Sequence, residues 1–217
     1  FNIERGVTGD SNESLELEPE TFDVSGSTIT LFENLGANYG ANFFNIKSAI
    51  ALNDLIVANS IDLPDARSFV QALTVNNLTI NSAQVFDANN LDLTITGNLL
   101  NNGTYTNNSS VTNFSGNGAQ SISGAGAFTL FDLTKSGAGI TTSSVNLSLS
   151  NDLRVSAGIL DIGSNTISLQ NDAIIESTLT NSSGDGLVFN GTSGQDLFGL
   201  ANIVVTLGTI PISNHTG

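Results

Sequence analysis

The sequence predicts an all-β chain wound as a parallel β-helix, a solenoid with three short strands in each coil and about 20–23 residues per coil. Three observations predict it. Apolar residues alternate with polar ones at i, i+2, most plainly in "VNLSLS" (145–150), and no helical i, i+3, i+4 stripe competes. Segments of three to five such residues are divided throughout by Gly, Asn and Ser, the punctuation of an all-β architecture. The third is an echo: in "NDLRVSAGILDIGSNTISLQNDAII" (151–175), Asn151-Asp152-Leu153 returns as Asn171-Asp172-Ala173.

In chain order, residues 1–54 form an acidic and aromatic N-terminal segment, expected to be β-rich and to act as a cap or assembly region. Repeats are expected to fill 55–217 and to continue into a longer chain or filament. Leu55 to Asn77 fits the repeat loosely, with Leu55 and Val57, Ile61 and Leu63, and Leu73 and Val75. Leu78 to Asn98 carries Leu78 and Ile80, Val85, then Leu93 and Ile95, and Leu99 to Gln120 carries Leu99, Tyr105, then Val111 and Phe114. "SISGAGAFTLFD" (121–132) breaks the rhythm and reads as an irregular coil or an outward arm.

Three further units run Leu133 to Asp152, Leu153 to Asp172 and Ala173 to Gln195. Their first station holds Leu133, then Leu153 and Val155, then Ala173 and Ile175; the second holds Ile140, then Ile159 and Leu160, then Leu179. The third holds Leu147 and Leu149, Ile167 and Leu169, Leu187 and Phe189. A sandwich of hairpins would pair sequence neighbours through two-residue turns, whereas here the pairing partner lies about twenty residues away. About ten coils at ~4.8 Å each give a rod of roughly 45–50 Å.

The echo then has a structural meaning. Asn151 and Asn171 fall at one corner, one above the other, where side-chain amides hydrogen-bond along the rod. Asn, with Gly, also adopts the left-handed backbone that sharp corners need. The competing reading makes Asp152 and Asp172, one layer apart, a cation site.

Composition narrows the function. The formal charge of −15, with five Lys+Arg, argues against phosphate backbones and anionic lipid, and no run approaches the length of a membrane span. The 28 Asn, together with Ser and Thr, make a surface that is polar more than charged. Without cysteine there is no disulfide framework, thiolate nucleophile or zinc knuckle. A chain opening "FNIERG" reads as a processed product or a piece of something longer.

"LTVNNLTINSAQ", "GTYTNNSSVTNFSGNGAQSISGAG", "SAGILDIGSNTISL" and "VFNGTSGQDL" resemble the repeats of large exported surface proteins of Bacteroidota, including gliding-motility adhesins carried by the type IX secretion system. The resemblance covers about residues 73–205. It implies a right-handed β-helix in a long, extracellular, cell-surface stalk or filament.

Residues able to carry chemistry are few. His215 is the sole histidine and reads as exposed filler, while "GNGAQSISGAGAF" lacks the Lys and helix of a phosphate cradle. The acidic "GDSNESLELEPE" (9–20) sets Asp10, Asn12 and Ser14 at loosely calcium-like spacing but has Leu15 where such a loop needs Gly. It reads better as a solvated edge strand guarded by Pro19. Sugar-cleaving β-helix enzymes use acidic clusters beside a basic residue. Here the basic candidates are Arg5, Lys47, Arg67, Lys135 and Arg154, with Arg154 pointing outward one coil above Lys135 and within reach of Asp152. No acidic pair accompanies them, so no catalytic, cofactor or metal residue is assigned. The chain is expected to be a non-catalytic structural or adhesive solenoid whose partners are further copies or repeats stacked end to end, and surface glycan. The alternative is a carbohydrate-binding module or polysaccharide-degrading enzyme. Glycan contacts would then fall on 32–47, where Tyr39, Phe43 and Phe44 suit sugar stacking or plug an apolar end, or on 121–132.

Overall fold

The computed structural model describes residues 2–4, 14–17, 26–32, 44–58, 60–62, 72–182, 186–199 and 205–206. These residues form strands, turns and bends, with no helix among them. Each strand pairs in parallel with strands one lap away along the chain, the arrangement of a β-solenoid.

Each lap visits three sides. On the first, Leu73, Leu93, Thr112, Leu133, Leu153, Ala173 and Leu197 stack in one column. On the second, Leu55, Leu78, Leu99, Ile122 and Ser143 stack, and beside them run Gln120, Thr141, Leu160, Leu179 and Val205. The third side holds the column on which the solenoid prediction turns: Leu147, Ile167 and Leu187 lie in direct register.

Period-two alternation explains the packing. In Leu93–Ile95, Leu147–Leu149, Leu153–Val155 and Ala173–Ile175 the outer two residues are buried and the middle one faces outward. The inward columns merge into one continuous apolar core running from Ile29 to Leu187. Each fully buried Leu or Ile stabilises the wound state by about 1.5–3 kcal/mol. No single lap can bury its own inward residues, so the laps must stack.

The first two sides begin as one. Leu73–Ile80 is an eight-residue strand that pairs through Leu73, Thr74 and Val75 with Leu93–Ile95 and through Leu78, Thr79 and Ile80 with Leu99–Asn101. From the next lap on, a bend at Gly97 divides the two sides. The described residues make about seven turns of solenoid, against the ten coils expected, and in the earlier ones Leu52–Val57 and Leu73–Ile80 each run unbroken across the first two sides. Lap length also ranges more widely than expected, from 17 residues (Phe44 to Ile61) to 31 (Ser14 to Asn45) among the described strands. The described strands before residue 55 join the same sheets: Thr28–Phe32 pairs with Leu52–Val57, and Ser14–Leu17 forms the outer edge of a five-stranded sheet, as expected for an edge strand.

Three expectations need correction. Residues 121–132 are no arm. They supply the end of the second-side strand Gln120–Ser123 and the third-side strand Thr129–Leu130, so the apparent break marks a repeat count that begins on the second side upstream and on the first side downstream. Val85, Val111 and Ile140 are not the inward residues of their strands; their neighbours Phe86, Thr112 and Thr141 are buried instead. Nor does Lys135 lie under Arg154. The register sets Arg154 over Thr134 and Val155 over Lys135, which turns the lysine into the core. Leu63, Arg5, Arg67, Tyr39, Phe43, Asp10, Asn12, Pro19 and His215 lie outside the described residues.

Candidate functional site

The corner leading into the first side carries a hydrogen-bonded ladder. Asn171 Nδ2 donates to Asn151 Oδ1 at 3.2 Å, which is the stacked-amide contact expected of the echo, and to Asp152 Oδ1 at 2.7 Å. Asn151 Nδ2 repeats the second bond to Asp132 Oδ1 at 2.7 Å. The backbone N–H of Asp152 donates to Asp132, that of Asp172 to Asp152, and that of Asp196 to Asp172, at 2.9, 3.0 and 2.8 Å. Carboxylates stacked one lap apart would repel, but here each bridging oxygen takes N–H donors from the lap above. Positive φ lies elsewhere, at Ala83, Asn89, Asn90 and Asn108 and at Gly26, Gly124, Gly158, Gly163 and Gly186.

A second ladder marks the corner between the first and second sides. Asn77 donates to Asp54 at 2.7 Å, Asn98 to Asn77 at 3.1 Å, and Ser121 donates both its backbone N–H and its hydroxyl to Asn98 Oδ1 at 2.9 Å. Asn76 likewise donates to Asn53 at 3.1 Å.

Two glutamines close corners in a way not foreseen from the sequence. Gln120 Nε2 donates to the carbonyls of Ile95 and Gly97 at 3.0 and 3.1 Å, and Gln195 Nε2 to those of Leu169 and Asn171, both at 3.0 Å. Each belongs to the same spacing, Phe114-x-Gly116-x-x-x-Gln120 and Phe189-x-Gly191-x-x-x-Gln195. A Cβ on Gly116 or Gly191 would collide with the carbonyl oxygen of Thr96 or Gln170 on the lap below, so the chain can pass this closely only as glycine. The shared spacing was the signal available. The two copies occupy different corners, the first leading to the second side and the second to the first side, so the motif is a portable bend.

Among the described residues, the third side carries a marked discontinuity. Its strands belong to two sheets, one ending at Thr104–Thr106 and the other beginning at Thr129–Leu130, joined by a lone bridge from Thr104 to Ala127. A buried polar network fills the step. Tyr105 Oη and Thr112 Oγ1 share a hydrogen bond of 2.8 Å, and Asn107 Nδ2 reaches Ser110 Oγ at 2.9 Å and Thr112 Oγ1 at 3.1 Å. Asn107 Oδ1 accepts from the backbone N–H of Phe131 on the next lap, so a side chain stands in for the missing ladder bond. Burial raises the Tyr105 phenol to about 12 against the lowering effect of its bonds to Thr112 and Asn107, and its ring meets Phe86 edge to face at 5.6 Å. Outside this network the step opens as a groove of about 260 Å³ lined from three successive laps by Tyr105 to Asn108, Thr129 to Phe131, and Ser150.

Among the described residues, the basic candidates Lys47, Lys135 and Arg154 do not gather. Arg154 lies on the outer surface and pairs through Nη2 with Glu176 at 2.7 Å, rather than with Asp152. Lys135 is fully buried, its Nζ donating to the Gly137 carbonyl, and burial holds its pKa below the ordinary lysine value. Lys47 sits half-buried in the strand Phe44–Ser48, whose first residue is the Phe44 considered for sugar stacking. Among the described residues, no three carboxylate or histidine side chains come together as a metal cluster. Comparison of the chain with protein-family models, curated proteins and solved structures finds no match.

Proposed function

We propose that this chain is a length of structural rod, a segment of an extracellular cell-surface stalk or filament whose role is reach and adhesion rather than catalysis. The observation that carries this reading is the corner ladder Asp132–Asp152–Asp172–Asp196, in which donors and acceptors are spent along the axis, lap to lap. Such a surface resists bending between laps and leaves its outward side chains to hydroxyls and amides. The positions of Lys135 and Arg154 support the same reading, since one is enclosed by apolar residues and the other is held by a carboxylate, which leaves neither as a ready base for sugar cleavage. Stacking on further copies or repeats follows from the parallel geometry, because a terminal lap presents backbone donors and acceptors to the next.

Negative-stain imaging of the native assembly tests the proposal directly. Rods or fibres on the cell exterior are expected; compact particles, or sustained turnover of pectin, alginate or xylan by the purified chain, would overturn it.

A further inference from the structure

We propose that the groove at the step of the third side is a binding site for a single neutral sugar ring. The proposal goes beyond the rod reading, which requires only the ladders and would stand if the groove bound nothing.

The groove exists because the third side changes sheets. Thr106 and Asn108 belong to the lap whose third-side sheet ends, Thr129 and Phe131 to the lap on which the next sheet starts, and Ser150 to the lap after. Elsewhere on this side, consecutive strands lie in unbroken register, as in Ser148 over Thr129 and Ser168 over Ser148, leaving a closed surface. Here the register is interrupted, and the Asn107 network seals the floor so that the groove does not open into the core.

Its lining selects the ligand class. A pyranose offers hydroxyls around its rim and an apolar C–H face, and it is met by hydroxyls, amides and an aromatic ring. Thr106, Thr129 and Ser150 supply hydroxyls, Asn108 an amide, and the half-buried Phe131 a phenyl ring. Asn108 Nδ2 is already committed to Asp87 at 2.7 Å, which fixes the amide and leaves its carbonyl oxygen as the acceptor to offer. No charged side chain lines the groove, and the chain's charge of −15 disfavours anionic sugars. At about 260 Å³ the groove lies below the usual range for drug-sized ligands and matches one ring.

The test is a titration of the isotope-labelled full chain, followed by amide chemical shifts, with glucose, galactose, mannose and N-acetylglucosamine, and with glucuronate as the charged counterpart. At least one neutral sugar is expected to give saturable shifts confined to 104–108, 128–131 and 150, with a Kd on the order of millimolar. Thr129→Trp, which fills the groove from an exposed position, should weaken binding about tenfold or more without changing the melting temperature. Asn108→Gly removes the amide at a residue with φ of 54°, where glycine is at ease, and should weaken binding while the fold is retained. Absence of saturable shifts from all four neutral sugars, shifts scattered along the Ser/Thr surface, or binding unchanged in both variants would overturn the proposal. An equal response to glucuronate would overturn the assignment to neutral sugars.

Discussion

Asn171 Nδ2 and the backbone N–H of Asp172 converge on a single oxygen, Oδ1 of Asp152, at 2.7 and 3.0 Å from one lap above. One carboxylate oxygen therefore fastens both a side chain and the backbone of the following corner. Asp152→Ala removes the shared acceptor and should cost about 2 kcal/mol, since hydrogen bonds to charged groups contribute about 1.5–3 kcal/mol each and this corner is half-exposed. Asp152→Asn keeps an acceptor in place and should cost less than half as much. Urea denaturation of the two variants checks the order; equal losses would mean that the ladder acts through shape alone.

The inward columns were legible in the sequence because a strand's faces alternate strictly. Once Leu147, Ile167 and Leu187 are set twenty residues apart, their stacking follows from burial. What misled was the assumption that every inward station is apolar. Thr112, Gln120, Thr141 and Ser143 point inward, and their polar letters hide the rhythm around 121–132. Lys135 was misplaced for the same reason: strict alternation from Leu133 turns it inward, but its charge argues for the surface. Of the groove the sequence shows only the irregular stretch 121–132, which supplies Thr129, Leu130 and Phe131; the step itself is a relation between laps that no single lap encodes.

Lys135 places an amine among apolar neighbours with one carbonyl as partner, so its charged form disfavours the folded state. Its folded pKa lies below the unfolded value of 10.5, so between those two values the unfolded chain binds more protons. Stability therefore rises as pH increases through that window and carries the full penalty below it. Lys135→Met, similar in volume, should stabilise by about 1 kcal/mol or more near neutral pH and remove the rise. Urea midpoints from pH 7 to 10 read both effects; a variant less stable than the parent at neutral pH would show that the amine is held by more than Gly137.

Tyr105 has the opposite sign. Its phenol is pushed up to about 12, so above pH 10 the unfolded chain ionises first and stability falls as pH rises from 10 to 12. The loss should reach about 2–3 kcal/mol, at 1.36 kcal/mol per unit. Tyr105→Phe keeps the edge-to-face contact with Phe86 and removes the phenol's bonds to Thr112 and Asn107, which still bond each other, and should cost about 1 kcal/mol at neutral pH. Above pH 10 the Phe variant should lose stability less steeply than the parent. Parallel slopes would show that the phenol is not the group titrating.

An ion pair on the outer surface should matter little. Arg154 and Glu176 side chains are 50% and 33% exposed, and pairs of this kind contribute about 0–1 kcal/mol. Arg154→Ala should change the urea midpoint by less than either ladder or core substitution. A loss as large as that of Asp152→Ala would place Arg154 among the residues that hold the laps together.

The glutamine bends offer a comparison within one molecule. Gln120 is buried and adds a third bond, accepting from Thr141 Oγ1 at 3.1 Å, whereas Gln195 is only half-buried and accepts instead from the backbone N–H of Gly191 at 2.9 Å. Replacement by leucine leaves one carbonyl of the lap below without its donor in either case, that of Gly97 or of Asn171, since the Ile95 and Leu169 carbonyls still accept from the backbone N–H groups of Ser115 and Asn190. Only at Gln120 is the buried Thr141 hydroxyl also deprived of its acceptor, with water unable to take the place of the lost amide. Gln120→Leu should cost about 2–4 kcal/mol and Gln195→Leu about half of that, because a buried unsatisfied group costs about 1–3 kcal/mol and an exposed one far less. Thermal and urea unfolding of the pair measures the difference. Equal and small effects would show that the bend is held by Gly116 and Gly191 alone, with the glutamines merely filling space beside them.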